Sequence, residues 1–247
     1  MEKKIPPTEL LEFNTKPLDK LNSLDALSLM LNSQKGAITS IQNILPNLDV
    51  IIDKLTKHLS YSDDGRIIYS GAGTSARIGV QDGVELYPTF GWPKRRLDFI
   101  IAGGFEALTC PVENAEDDEV SAEKMVNALS VCQNDVLISL AASGNTPFTC
   151  KVTEVATRKG ALTLGISNNP NADLFLKSKL KILLDTGKEV VAGSTRLKAG
   201  TSQKICLNLI STIIMVNMGR VINGKMINLV ATNNKLRLRK SKILKNT

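Results

Sequence analysis

Three short turns rich in glycine and hydroxyl side chains hold the residues best suited to chemistry. They are Ser70-Gly71-Ala72-Gly73-Thr74-Ser75, Ala142-Ser143-Gly144-Asn145-Thr146-Pro147 and Gly193-Ser194-Thr195-Arg196. Each falls at the end of an apolar run or just before a helical stretch. Glycine lets backbone N–H groups approach an anion closely, and the start of a helix adds favourable partial charge. Ser75, Ser143, Thr146, Ser194 and Thr195 add neutral hydroxyls that can grip phosphate and sugar oxygens without a metal. Helix capping competes for the same residue types. Three such turns converging on one sheet edge favour a phosphate or sugar-phosphate cradle.

Carboxylates supply the second ingredient. Asp82 and Glu85 follow the first turn, three residues apart and so on one helical face. A denser set, Glu113, Glu116, Asp117, Asp118 and Glu119, comes later. Acidic runs are commonly solvated surface or charge at a helix start. A pair drawn from these two groups could also act as general acid and general base across a bound sugar. His58, the one histidine, lies in the N-terminal helical part and reads as a surface residue.

Several other chemistries are disfavoured. Gly71-x-Gly73-x-x-Ala76 satisfies the dinucleotide fingerprint, but that fingerprint wants an acid at the end of the second strand. Here that strand ends Ile101-Ala102-Gly103-Gly104, so no nicotinamide or flavin cofactor is expected. There is no GxxxxGK[ST] nucleotide loop. Cys110, Cys132, Cys150 and Cys206 form no CxxC pair, which argues against metal clusters and disulfide scaffolds. The net charge of +7 is concentrated in Lys235, Arg237, Arg239, Lys240, Lys242 and Lys245, and the rest of the chain is close to neutral. A solvated basic tail therefore fits better than a nucleic-acid-binding face. The longest apolar stretch, Ile205 to Val216, is short for a membrane span and the N-terminus has no apolar signal core. A cytoplasmic, metal-free protein is the expectation.

Elements able to position the turns can be read along the 247 residues. Residues 18 to 59 carry apolar side chains at helical spacing, with Pro46 marking a helix start or kink. After a polar break at Ser60 to Gly65, short apolar runs alternate with helical stretches. The runs are Ile67–Tyr69, Phe99–Ile101, Val136–Leu140, Leu162–Ile166 and Ile182–Leu184, each largely apolar on successive positions as strands covered on both faces tend to be. Ser75–Leu86, Glu119–Leu129, Pro147–Arg158 and the long Lys198–Met218 read as helices. This pattern predicts an α/β fold: a doubly wound parallel sheet of about five strands behind an N-terminal helical extension. The expected divisions are 1–59 for the extension, 60–234 for the sheet domain and 235–247 for the basic tail.

Taken in order, GAGTSARIGVQDGVE, PTFGWP, IAGGFEAL, VENAEDD, AASGNTP, GSTRLKAGTSQK, LNLIST and ATNNKLR resemble the N-acetylmuramic acid 6-phosphate etherase family, which has the sugar isomerase (SIS) fold. The likeness runs from Gly65 to Arg237 and extends more thinly into the N-terminal helices. It implies a lyase of peptidoglycan recycling. Such an enzyme releases D-lactate from N-acetylmuramic acid 6-phosphate and leaves N-acetylglucosamine 6-phosphate, with no cofactor. The family's two catalytic glutamates fall by motif on Glu85 and Glu116. Ligand contacts are expected from Gly73, Thr74, Ser75, Ser143, Asn145, Thr146, Ser194 and Thr195. A homodimer with sites near the subunit boundary is implied as well, with a phosphorylated amino sugar as partner and neither nucleic acid nor membrane.

Three positions depart from the family pattern: Ala76 and Asn114 stand where glycine is usual, and Asn145 where arginine is usual. Two other functions share the motifs' logic. One is a regulatory protein that binds a sugar phosphate without cleaving it. The other is an aldose–ketose isomerase, which would abstract a proton beside a carbonyl but release no lactate.

Overall fold

The computed structural model describes residues 6–10, 16–231 and 237. Among the described residues three α-helices precede the sheet: α1 (Ser23–Ser33), α2 (Lys35–Gln42) and α3 (Leu45–Ser60). The Asn22 side chain accepts from the Asp25 N–H and caps α1. Pro46 sits in the first turn of α3, where its missing N–H costs no hydrogen bond. The apolar stripe of α3 (Leu48, Ile51, Ile52, Leu55 and Leu59) is buried, so this helix forms part of the main core.

The sheet contains β1 (Ile67–Gly71), β2 (Leu97–Ile101), β3 (Val136–Leu140), β4 (Leu162–Ser167) and β5 (Leu180–Leu183). All neighbouring strands are parallel, in the order β2-β1-β3-β4-β5. The helices between them are α4 (Gly73–Phe90), α5 (Glu119–Ala128), α6 (Pro147–Arg158) and α7 (Asp173–Lys177), and α8 (Lys198–Asn217) follows β5.

Alternation along the strands sorts side chains into two layers. Ile67, Tyr69, Ile138, Leu140 and Ile166 face α3 and α8, joined by Leu86 of α4. Ile68, Leu137 and Ile100 face Val126 of α5 and Phe148 and Val152 of α6. Gly83 allows α4 to lie close to the sheet, since a Cβ there would stand 2.8 Å from the Phe99 ring. Although α8 is long and apolar enough to cross a membrane, more than half of it is buried across the sheet face.

Two corrections to the expected elements concern the edges. β2 begins at Leu97 and β5 at Leu180, each two residues earlier than the apolar runs suggested. As edge strands they are only half covered, so Asp98 and Lys181 interrupt their apolar pattern without interrupting pairing. The structure also adds the short helix α7 and a hairpin of β6 (Val221–Ile222) and β7 (Lys225–Met226). Its turn is Asn223-Gly224, both with positive φ.

At the amino end of the sheet, Arg66 ties three segments together. It donates to Asp135 from Nε at 3.0 Å and Nη2 at 2.8 Å, and to Asp98 from Nη1 at 3.1 Å. Burial pushes the Asp135 carboxyl up, but Arg66 and the N–H groups of Cys132 and Arg66 together hold it below its ordinary value. At Asp98 burial prevails over Arg66 and the carboxyl is raised. The fold thus leaves the opposite, carboxyl edge free for the glycine-rich turns.

Candidate active site

Strand order reverses at β1: the chain runs through α4 to β2 on one side, while β3 begins the walk to β4 and β5 on the other. Such a switch point leaves a crevice outside the carboxyl ends of the two strands. A pocket of about 410 Å³ occupies that place, within the range of small-molecule sites. It is lined by Ala72 to Ser75 after β1, Leu140 to Ser143 and Asn145 to Pro147 after β3, and Thr195, Glu116, Asp117 and Glu9.

Eight of the ten residues singled out in the sequence line this pocket: Gly73, Thr74, Ser75, Glu116, Ser143, Asn145, Thr146 and Thr195. Ser194 is half-buried beside it, so Thr195 is the lining hydroxyl of the third turn. Glu85 is exposed on α4, roughly 18 Å beyond Gly73 at the ordinary helical rise of 1.5 Å per residue. It is not part of the lining within the same chain.

The helix starts at this pocket carry no side-chain cap from their own N-cap residue, as is also true of α2, α3, α7 and α8. Neither α4 nor α6 has a side-chain cap, whereas Asn22 and Asp118 cap α1 and α5. The hydroxyls of Thr74, Ser75 and Thr146 are therefore not spent on their own helix ends. The first N–H groups of an α-helix have no intrahelical partner, so both helix starts bring donors to the crevice.

Ser75 differs from the other hydroxyls. Its Oγ–H donates to Gln203 Oε1 at 2.8 Å, Gln203 Nε2 donates to Asn168 Oδ1 at 3.1 Å, and Asn168 Nδ2 donates to Ser202 Oγ at 2.9 Å and the Leu184 carbonyl at 3.0 Å. All of these groups are buried. The chain fixes the direction of every bond in it, so Ser75 presents lone pairs rather than a hydrogen to the pocket. This revises the expectation of a donor there.

Asp82 also departs from its expected role. It is buried and accepts from Tyr69 Oη at 2.8 Å, Asn208 Nδ2 at 2.8 Å and Ser211 Oγ at 3.1 Å, tying α4 to β1 and α8. Burial, reinforced by Asp82, lifts the Tyr69 hydroxyl well above its ordinary value. Asp82 and Glu85 thus point to different surroundings despite their spacing. His58, expected at the surface, is half-buried on α3, with a buried Nε2 that has no hydrogen-bond partner among the described residues.

The departures from the family pattern also find places. Asn114 has φ +56°, a left-handed conformation that glycine adopts freely and asparagine tolerates. Ala76 packs against Ile101 and Ala107 and is not in the pocket lining. Asn145 lines the pocket while its Oδ1 accepts from the Asp173 N–H at 2.9 Å.

Sequence reasoning missed two contributors. The buried carboxylate of Glu189 accepts from the N–H groups of Lys198 at 3.3 Å and Ala199 at 2.9 Å, fixing the start of α8 after the third turn. Glu9 enters the pocket from the far N-terminus. A larger hollow of about 780 Å³, bordered by Lys16 to Asp19 and Lys188 to Ala192, contains none of the candidate residues. Among the described residues no group of three His, Cys, Asp or Glu is arranged to hold a metal ion. Of the basic tail only Arg237 is described; Lys235, Arg239, Lys240, Lys242 and Lys245 lie outside the described residues.

Known proteins extend these observations. Residues 50–156 match the family described as the glucokinase regulatory protein N-terminal SIS domain. Among solved structures, a phosphoheptose isomerase from Francisella tularensis superposes with a TM-score of 0.62 at 17% identity, covering 79% of this chain and 100% of that one. The Vibrio vulnificus NanR protein complexed with ManNAc-6P gives 0.54 at 12% identity, covering 89% and 69%. Those likenesses establish the fold.

Closer relatives carry the name N-acetylmuramic acid 6-phosphate etherase. The Deinococcus radiodurans protein is 43% identical over 219 residues, 89% of this chain and 71% of its own length. The Bacillus cereus protein is 38% identical over 237 residues, 96% of this chain and 80% of its own length. By identity and coverage of this order, the chain belongs to the N-acetylmuramic acid 6-phosphate etherase family.

Proposed function

We propose that this protein is a carbon–oxygen lyase that removes the D-lactyl group from N-acetylmuramic acid 6-phosphate, giving N-acetylglucosamine 6-phosphate and D-lactate. The observation that carries the reading is the convergence of Glu116 with uncapped helix starts and hydroxyl-bearing turns around one pocket. The relatives' shared name supplies the substrate class.

The chemistry follows from the substrate. Once the sugar ring opens, the C1 aldehyde acidifies the C2 proton. Glu116 takes that proton as the C3–O bond breaks, and a carboxylic acid protonates the departing lactate oxygen. Water then adds at C3 of the unsaturated aldehyde, and C2 regains a proton. Glu85 is assigned the acid role. Because it lies far from the pocket of its own chain, the assignment requires that it enter the pocket of a second copy. The exposed Val84 beside it makes that stretch of α4 suited to a subunit contact.

The test is incubation with the phosphosugar in heavy-oxygen water, reading D-lactate and the label at C3. The proposal expects stoichiometric lactate and label in the new C3 hydroxyl. Label in lactate instead would place the cleaved bond on the wrong side of the ether oxygen. A second reading, binding without cleavage, is favoured by the match to a regulatory protein's domain. Intact phosphosugar recovered after long incubation with tight binding would support it.

A further inference from the structure

The pocket is closed on one side by a segment far away in sequence. Thr8 is fully buried, and its hydroxyl and backbone N–H meet the side chain of Asn169, 161 residues away. Asn169 Nδ2 donates to Thr8 Oγ1 at 3.1 Å and to the Ala142 carbonyl at 2.8 Å. The Gly193 N–H donates to the Thr8 carbonyl at 2.9 Å. Thr8 therefore locks the segment Pro6–Leu10 to the ends of β3 and β4 and to the third turn.

The next residue, Glu9, lines the pocket. Its Oε2 would lie 2.7 Å from a Cβ at Gly193, so the absence of a side chain there leaves room for the carboxylate. Glu9 is exposed, and while its backbone N–H donates to the Pro6 carbonyl at 2.9 Å, its carboxylate has no hydrogen-bond or ion-pair partner among the described residues. A rigidly anchored backbone thus presents an unengaged acceptor to a cavity whose helix starts are donors.

We propose that Glu9 selects the sugar portion of the ligand, accepting hydrogen bonds from its hydroxyl or acetamido N–H groups; this rests on the phosphosugar reading of the pocket. A carboxylate repels a phosphate dianion, so Glu9 cannot share the phosphate end. The phosphate belongs at the helix starts of α4 and α6, where N–H groups are unspent. Glu9 and the lone pairs of Ser75 meet donors on the carbon skeleton. Ionised carboxylates accept strongly from hydroxyl and amide donors, and this gives Glu9 leverage on sugar recognition.

Calorimetry on the full chain separates the two ends of the ligand. Wild type, Glu9→Ala and Glu9→Gln are titrated with N-acetylglucosamine 6-phosphate and, separately, with inorganic phosphate. The alanine variant is expected to lose about tenfold in affinity for the phosphosugar and the glutamine variant less, since its amide oxygen still accepts. Affinity for inorganic phosphate should be unchanged in both. Unaltered phosphosugar affinity in Glu9→Ala, or an equal loss for inorganic phosphate, overturns the assignment while leaving the pocket's function intact. A wild-type chain that binds neither ligand overturns the phosphosugar reading and this inference with it.

Discussion

A hydroxyl is defined by where its hydrogen goes, and Ser75 shows how much that matters. Gln203 and Asn168 sit in the core, yet they set the polarity of a side chain at the pocket. Gln203→Leu removes the acceptor for Ser75 and strands the side-chain Oδ1 of Asn168. It should lower unfolding free energy by about 2 kcal/mol, as loss of one buried polar partner does. Denaturant titration measures this, and KM for the phosphosugar should rise severalfold while the pH profile of turnover keeps its shape. At this scale much of the site was legible in the sequence, because glycine with serine or threonine at strand ends is an unusual local composition. Glu9 was not legible: nothing in the spacing around Thr8 foretells a contact with Asn169. Nor was the exposure of Glu85, since residues three apart on a helix can straddle the border between core and surface.

Among the elements, the starts of the strands covered on both faces were read correctly because no charged residue interrupts their apolar runs. β3, Val136–Leu140, is buried throughout and matches its apolar run. The starts of β2 and β5 were missed because edge positions accept Asp98 and Lys181. The helix α7 has five residues, too few to display a period. The hairpin turn Asn223-Gly224 carries a recognised turn signal, but its two-residue strands provide no alternation to accompany it. The Arg66 cluster gives this scale its prediction. The Asp135 carboxyl titrates lower in the folded state than in the unfolded chain, so its stabilising contribution is complete above its unfolded value and fades as pH falls through the folded one. Asp135→Asn should cost about 3 kcal/mol at neutral pH, leaving Arg66 without its main partner. The gap between wild type and variant should narrow as pH falls below the ordinary carboxylate range, where Asp135 of the unfolded chain takes up its proton before Asp135 of the folded one. A gap that stayed constant on acidification would dissociate the cluster from the acid limb of stability.

For the whole molecule, the decisive feature is the separation of Glu85 from the pocket of its own chain. If two copies complete each other's sites, mixing Glu85→Gln subunits with Glu116→Gln subunits should restore activity. Random exchange makes half of the dimers mixed, and each mixed dimer has one intact site, so about a quarter of wild-type turnover should return. Two inactive parents that stay inactive after verified exchange would locate both glutamates in one chain or remove one of them from the mechanism.

The most direct measurement compares D-lactate release from N-acetylmuramic acid 6-phosphate by the wild-type chain and by Glu116→Gln. The account predicts steady release by the wild type and a fall of roughly 10²-fold or more in kcat for the variant, the ordinary reach of a general base, with phosphosugar affinity retained. Release by Glu116→Gln at nearly the wild-type rate would contradict it.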